Sequence, residues 1–415
     1  MPCNTCRSGN GFGPVRLAGR TGNNGPIRAH NSSDTTHGAA TPRSSQTKII
    51  NLLGALIRVL PVFVPEKPGA PEAKEIRAAA RMWGYNPPQR DSGSMPIEVG
   101  RVLEWLSRHT LPVETVHNAD TMRALQRSVT RRLDGEPYAP TVARRTRSVL
   151  SNCLDYAVER DILGSNPLAG VKWSQMPKGK RKVDKRAVPN PVQARTMLST
   201  IAETARSGER LEAFFALMYF AAMRPEEAAD LRKENLSLPA ATHDPVSGER
   251  KYDWGTIYLE GARPYIDARW TDRGTVGEQR PLKSRAAGDV RPVPCPPELT
   301  AILWRHIERH GCGTDGRLFT GERGGPISKV TYMKVWRAAR TSALTKEAEA
   351  GPLLRRPYDL RHAAVSTWLA AGVPAATVAL WAGQSVSVLL EVYASFLDGG
   401  ERTAKRRIEE ALGGW

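Results

Sequence analysis

The chain has 415 residues, with Lys+Arg 60 against Asp+Glu 42 and a formal net charge of +18. A polyanion is therefore the first partner to consider, because each phosphate neutralised by a cation releases counterions, and the length sets a prior of two or three domains. Five scattered cysteines (Cys3, Cys6, Cys153, Cys295, Cys312) exclude a disulfide framework, and the longest apolar run, Ile49 to Val64, is broken by Arg58 and Pro61 and too short to span a bilayer.

Residues 1–46 are rich in Gly, Asn, Ser, Thr and Arg with almost no periodic apolar positions, so they read as a disordered basic arm; the lone Cys3-x-x-Cys6 has no second pair and reads as chance. Residues 47–67 carry no assignment. Over 68–172 the spacing predicts helices at Ala73 to Trp83, Ile97 to Arg108, Thr121 to Leu133 and Thr141 to Arg160. The last of these sets Val142, Val149, Leu150, Cys153, Leu154 and Ala157 on one stripe, opposite Arg144, Arg145, Arg147 and Arg160. A basic linker follows at 173–190, with Lys178, Lys180, Arg181, Lys182, Lys185 and Arg186.

Residues 191–415 read as a larger domain. Leu211 to Met223 is apolar nearly all round, as a core helix would be, and Arg224 stands before Pro225 at the start of another. Period-two stretches predict strands at Gly255 to Glu260, Glu278 to Leu282 and Val290 to Val293, with Lys283 on the hairpin joining the last two beside Arg285 and Arg291. Helices return at Leu299 to His310 and Lys329 to Ala348. His306 and His310 lie one turn apart near Cys312, but the residues between them are not those of a metalloprotease helix, and no metal is expected.

Asp359 is the expected N-cap of a helix from Leu360 to Ala371 with Gly372 as its left-handed stop; Pro374 opens the next helix and Gly383 closes it. Arg361 then falls in a first helical turn, where free N–H groups and the dipole favour an anion. After Tyr393 a basic amphipathic helix, Arg402 to Leu412, puts Ala404, Ile408, Ala411, Leu412 and Trp415 on one face. The fold class is mainly α with a small antiparallel β-sheet.

Gln384 lies 23 positions and Tyr393 32 positions after Arg361, with Gly372, Val373, Leu380 and Gly383 between them. This resembles the second signature box of the tyrosine recombinases, the phage integrase and Xer family. Arg224, Glu227 and Leu231 resemble the frame of that family's first arginine, and the likeness covers most of the chain after residue 95. The resemblance implies a helical core-binding, SAM-like domain and an α+β catalytic domain closing as a clamp on DNA. It implies a catalytic set of Arg224, Lys283, Tyr358, Arg361, Gln384 and Tyr393, with DNA contacts from Arg144, Arg145 and Arg147 and from Lys180, Arg181 and Lys182. The expected function is site-specific recombination or integration through a 3′-phosphotyrosyl intermediate and a Holliday junction. The expected partners are a double-stranded recombination site, other copies of the chain in a tetramer joined through the C-terminal helix, and an accessory DNA-bending factor. The expected setting is cytoplasmic and nucleoid-associated, with no membrane and no cofactor.

The chemistry has its own logic. A tyrosine oxygen can attack phosphorus and later leave, so the energy of the cut bond is kept. A phenol of pKa about 10 is mostly protonated at neutral pH and needs local activation. Two guanidiniums can neutralise the charge that builds on the phosphate, and a lysine can protonate the departing 5′ oxygen. No P-loop or carboxylate cluster is present, in keeping with chemistry that needs neither nucleotide nor metal.

Two positions depart from the family pattern, Tyr358 where histidine is usual and Gln384 where histidine or tryptophan is usual. Glutamine cannot serve as acid or base, and a phenol lacks an imidazole's near-neutral pKa. The alternative is therefore a recombinase-fold protein that binds DNA with weak or no cleavage. His362, which matches a histidine that often follows the second arginine, is expected to pack or hydrogen-bond rather than to replace the missing base. A helix-turn-helix regulator is the third class, in which Arg224 would matter for affinity alone.

Overall fold

The computed structural model describes residues 46–413 apart from 174–175, 178–182, 205–206, 265–279, 283–287, 323 and 398–400. The expected N-terminal arm, with Cys3 and Cys6, lies outside the described residues up to 45. The chain divides near residue 180 into two compact units.

The first unit is helical: α1 (Gln46–Val59), α2 (Ala73–Ala79) running into a π turn (Ala80–Gly84), α3 (Pro87–Arg90), α4 (Ile97–His109), α5 (Ala119–Thr130) and α6 (Pro140–Glu159). Its core gathers Val59, Phe63, Val116, Leu125, Val129, Leu150 and Leu154, and a smaller cluster joins Ile57, Leu60, Ile76 and Leu106. The unassigned segment therefore holds a helix. Arg58 does not break it, because its guanidinium turns back to the Gly54 carbonyl at 2.8 Å and lies 5.3 Å from the Tyr138 ring centre. Pro61 falls in the short 3₁₀ turn Leu60–Phe63, where its missing N–H does no harm. Helix α5 stops at Thr130, three residues before the expected end, because Arg131 bridges to Pro137 around a turn at Gly135.

The second unit opens with α7 (Pro191–Glu203), α8 (Gly208–Phe220) and α9 (Pro225–Asp230). Strands β1 (Leu236–Ser237), β2 (Thr242–His243), β3 (Arg250–Lys251), β4 (Gly255–Leu259), β5 (Gly261–Ala262), β6 (Arg280–Pro281) and β7 (Arg291–Cys295) follow. The remaining helices are α10 (Pro297–His310), α11 (Lys329–Ala343), α12 (Lys346–Ala350), α13 (Tyr358–Ala370), α14 (Ala375–Ala382), α15 (Val386–Leu397) and α16 (Glu401–Ala411). Helix α8 is buried nearly all round, with Phe214 packed on Phe215, Phe319 and Tyr332, as its apolar sequence requires.

The three-stranded antiparallel sheet has the order β1-β4-β7, and β6 pairs with β5. The expected hairpin between Glu278 to Leu282 and Val290 to Val293 is thus corrected: its two flanks belong to different ladders. Strand β7 alternates, turning Arg291, Val293 and Cys295 inward, so it joins the strand that offers a buried face, β4. The single helix expected over Lys329 to Ala348 is two, since Thr345 accepts from the Ala348 N–H and starts α12 afresh.

Helix α13 begins at Tyr358, so Asp359 is not its N-cap. Its carboxylate instead reaches back to the Arg356 N–H at 2.9 Å and Nη2 at 3.0 Å, closing the turn that leads into the helix. No single described helix is long and apolar enough to cross a membrane; α14 and α15 pass such a test only together, across a 103° bend, and their Val378, Ala379, Ala382 and Leu389 are core residues.

Candidate active site

Helix α14 ends with Gly383 in the left-handed conformation, at φ +61°. A helix end leaves carbonyls without intrahelical partners, and that end of the dipole favours cations. Here two consecutive carbonyls each take an arginine. Arg361 Nη2 donates to the Ala382 oxygen at 2.6 Å, and Arg224 Nη2 donates to the Gly383 oxygen at 2.6 Å. Arg361 also donates through Nη1 to the Ala222 carbonyl, just past the end of α8. The two arginines lie 137 positions apart in sequence and are brought side by side by one helix terminus.

Arg224 is held from its other side by Glu227. The Arg224 backbone N–H donates to one carboxylate oxygen at 2.9 Å, and Nη1 donates to the other at 2.6 Å. A third guanidinium completes the group. Arg291, 1% exposed, grips Glu227 through Nη1 at 3.0 Å and Nη2 at 2.8 Å. Burial alone would raise the Glu227 pKa, but Arg291 and Arg224 outweigh it and hold the carboxyl down at about 2. The sequence reading placed Arg291 only on a hairpin; its inward register with Val293 and Cys295 was the signal that it is buried.

Gly383 is required twice. Its backbone is left-handed, and a β-carbon there would stand 2.8 Å from Arg291 Cζ, on top of Arg291 Nη1, and 3.3 Å from Arg224 Nη1.

Tyr393 on α15 is 2% exposed, and its hydroxyl lies 2.7 Å from His362 Nδ1. The Tyr358 ring centre is 5.1 Å from that of His362 and 5.7 Å from the Arg361 guanidinium carbon. Burial pushes the Tyr393 pKa well above that of an ordinary phenol, with Arg361 and Arg224 opposing. His362 moves the other way. Burial, helped by the Arg356 and Arg361 charges, lowers it to about 4, so the ring is neutral at pH 7. Gln384 Nε2, on the residue after Gly383, is buried and meets no hydrogen-bond partner among the described residues. The Val183 N–H donates to the Val392 carbonyl at 3.4 Å, next to Tyr393.

The fold thus brings Arg224, Tyr358, Arg361, Gln384 and Tyr393 into one neighbourhood. Lys283, Lys180, Arg181 and Lys182 lie outside the described residues. Arg144, Arg145 and Arg147 are exposed on α6 of the first unit, where Arg147 sits 5.1 Å from the Trp173 ring centre. Sequence reasoning missed the surroundings of that ring, a hollow lined by Arg123, Gln126, Arg127, Arg131 and Lys172. Helix α5, the turn after it and the segment ending at Trp173 supply these residues, with Arg147 of α6 over the ring, so no local run announced them. His306 is buried with Nε2 3.0 Å from the Leu318 carbonyl, and no group of three or more metal-ligating side chains occurs among the described residues.

No protein-family description and no curated protein sequence matches the chain. Among solved structures, the integrase of transposon Tn1549 in complex with circular intermediate DNA is similar at a TM-score of 0.50 and 16% identity, over 77% of this chain and 96% of that one. A variant of the same integrase bound to transposon right end DNA gives 0.51 and 16%, over 78% and 96%. The chain has the fold of these integrases, as the resemblance carried by Arg361, Gln384 and Tyr393 implied.

Proposed function

We propose that the protein is a site-specific DNA recombinase or integrase that cuts and rejoins one strand at a time through Tyr393, without metal or nucleotide. The observation that carries this reading is the pairing of Arg361 and Arg224 on the consecutive carbonyls of Ala382 and Gly383, close enough to Tyr393 for both charges to act on its hydroxyl. A phosphate entering between them exchanges two neutral carbonyl contacts for charge-assisted ones, and the two forks neutralise the pentavalent transition state. Gln384 donates a further hydrogen bond, Tyr358 positions the rings, and Lys283 protonates the 5′ leaving oxygen.

Both units contact duplex DNA in this proposal, the first through Arg144, Arg145, Arg147 and the hollow beside Trp173, with the basic stretch at Lys180, Arg181 and Lys182 along the phosphate backbone. Ile408 on α16 and Leu412 just past its end are exposed at 57% and 71%, which suits docking on a neighbouring copy in a tetramer.

The similar integrase structures are complexes with DNA, which supports DNA as the partner here. A second reading, DNA binding without cleavage, is favoured by the burial of Tyr393 and Arg361, at 2% and 1% exposure. One experiment separates the two. The protein is incubated with a pool of nicked duplexes of randomised sequence, and covalent protein–DNA adducts are recovered under denaturing conditions. Adducts formed by the wild type and absent from Tyr393→Phe are the expected result. Retarded duplex with no adduct from either protein would establish the binding-only reading.

A further inference from the structure

We propose that His362 is the general base for Tyr393, a reading that rests on the recombinase function proposed above. The geometry is direct: His362 Nδ1 and the Tyr393 hydroxyl are 2.7 Å apart, within the range of a productive proton transfer. With the ring proton on Nε2, Nδ1 is the acceptor and the phenol is the donor. The backbone carbonyl of His362 is engaged separately by Ser366 Oγ at 2.7 Å, so that hydroxyl does not compete for the ring.

The groups facing the imidazole leave it this task. Tyr358 and Arg361 stand on its own helix, Arg356 just before it, and Tyr393 on α15. Burial, with the Arg356 and Arg361 charges adding to it, keeps the imidazole unprotonated and therefore able to accept. Tyr358 is itself a phenol and offers no driving force for taking a proton from another, while Gln384 has no basic site. The histidine expected at 358 is thus replaced in function by one four residues later, a helical turn along α13, which faces the nucleophile itself.

The step balances. As the Tyr393 oxygen bonds to phosphorus, its proton passes to His362 Nδ1; the P–O5′ bond breaks and that oxygen takes a proton from the Lys283 ammonium. In rejoining, the incoming 5′ hydroxyl gives its proton back to Lys283, and the imidazolium returns its own to the departing Tyr393 oxygen.

The test uses the duplex recovered from the randomised pool, remade with a nick so that cleavage is irreversible, and single-turnover rates of adduct formation across pH. The key variant is His362→Asn, whose Oδ1 stands where Nδ1 stood and accepts the same hydrogen bond without being basic. Wild type should be nearly pH-independent across neutrality, whereas H362N should be about 100-fold slower at pH 7 and gain about tenfold per pH unit as phenolate forms unaided. Placing 3,5-difluorotyrosine at 393, a more acidic phenol, should restore H362N more than it helps the wild type. An H362N rate within about threefold of wild type at every pH, or slower by one constant factor with an unchanged profile, would reduce His362 to a hydrogen-bonding role and overturn the proposal. Should H362N not fold, the wild-type profile decides alone, since a rise of about tenfold per pH unit excludes a base. If the wild type forms no adduct with any member of the pool, the recombinase reading itself fails and this proposal with it.

Discussion

Arg291 and Glu227 are joined by two hydrogen bonds, at 3.0 and 2.8 Å, between side chains each 1–2% exposed and 64 positions apart. Glu227 also carries Arg224, so the pair sets where the Arg224 guanidinium stands. Removing one member of a buried ion pair leaves the other uncompensated, which typically costs about 3–5 kcal/mol, whereas replacing both with apolar groups is often neutral. Glu227→Gln and Arg291→Met should each lower the urea midpoint, Glu227→Gln more, since it strands two guanidiniums. The double variant should recover much of the loss. A double-mutant cycle measured by urea unfolding checks this, and additive losses would mean the two residues do not act as a pair.

Gly383→Ala should be damaging out of proportion to one methyl group. The left-handed backbone costs an alanine about 1–2 kcal/mol, and the methyl must also displace the Arg291 guanidinium. Because Arg224 hangs from the carbonyl of the same residue, adduct formation should fall further than DNA retardation does. Measuring both on one preparation separates a displaced arginine from a general loss of fold.

The spacing of Arg361, Gln384 and Tyr393 made this part of the second unit legible, because Arg361 falls on α13, Tyr393 on α15 and Gln384 just past the end of α14, and the helix stops at Gly372 and Gly383 are written locally. Arg291 was not legible as a site residue. An arginine in an alternating stretch looks like a hairpin charge until its partner is known, and Glu227 lies on a helix before the sheet begins. Strand pairing failed for the same reason: proximity in sequence pointed to β6 and β7 as neighbours, while the apolar face of β4 decided the ladder. Arg58 misled in the opposite direction, since a charged residue in an apolar run reads as a break unless a carbonyl and an aromatic ring are there to receive it.

Acid should loosen the second unit well above the range where carboxylates titrate. His306 and His362 are both pushed to about 4 by burial, from an ordinary 6.5. Their folded-state values are depressed, so as pH falls below 6.5 the unfolded chain takes up protons that the folded chain refuses. Stability from this source is complete above pH 6.5, is lost between 6.5 and 4, and changes no further below. A gap of that size is worth up to about 3 kcal/mol for each histidine. Thermal midpoints should fall across this window, and His306→Gln should flatten roughly half of the slope.

The hollow beside Trp173 should bind phosphate through charge alone. Contacts to phosphate carry no sequence information, so exchanging the lining Arg127 and Lys172 for alanine should weaken binding to every duplex by a similar factor. Each phosphate contact removed should lessen the slope of log affinity against log salt by about 0.9. Retardation at several salt concentrations, with the randomised pool and with a recovered site, measures both quantities. A slope unchanged in Arg127→Ala/Lys172→Ala would place the DNA on another face of the first unit, and a loss confined to the recovered site would mean that these side chains read sequence.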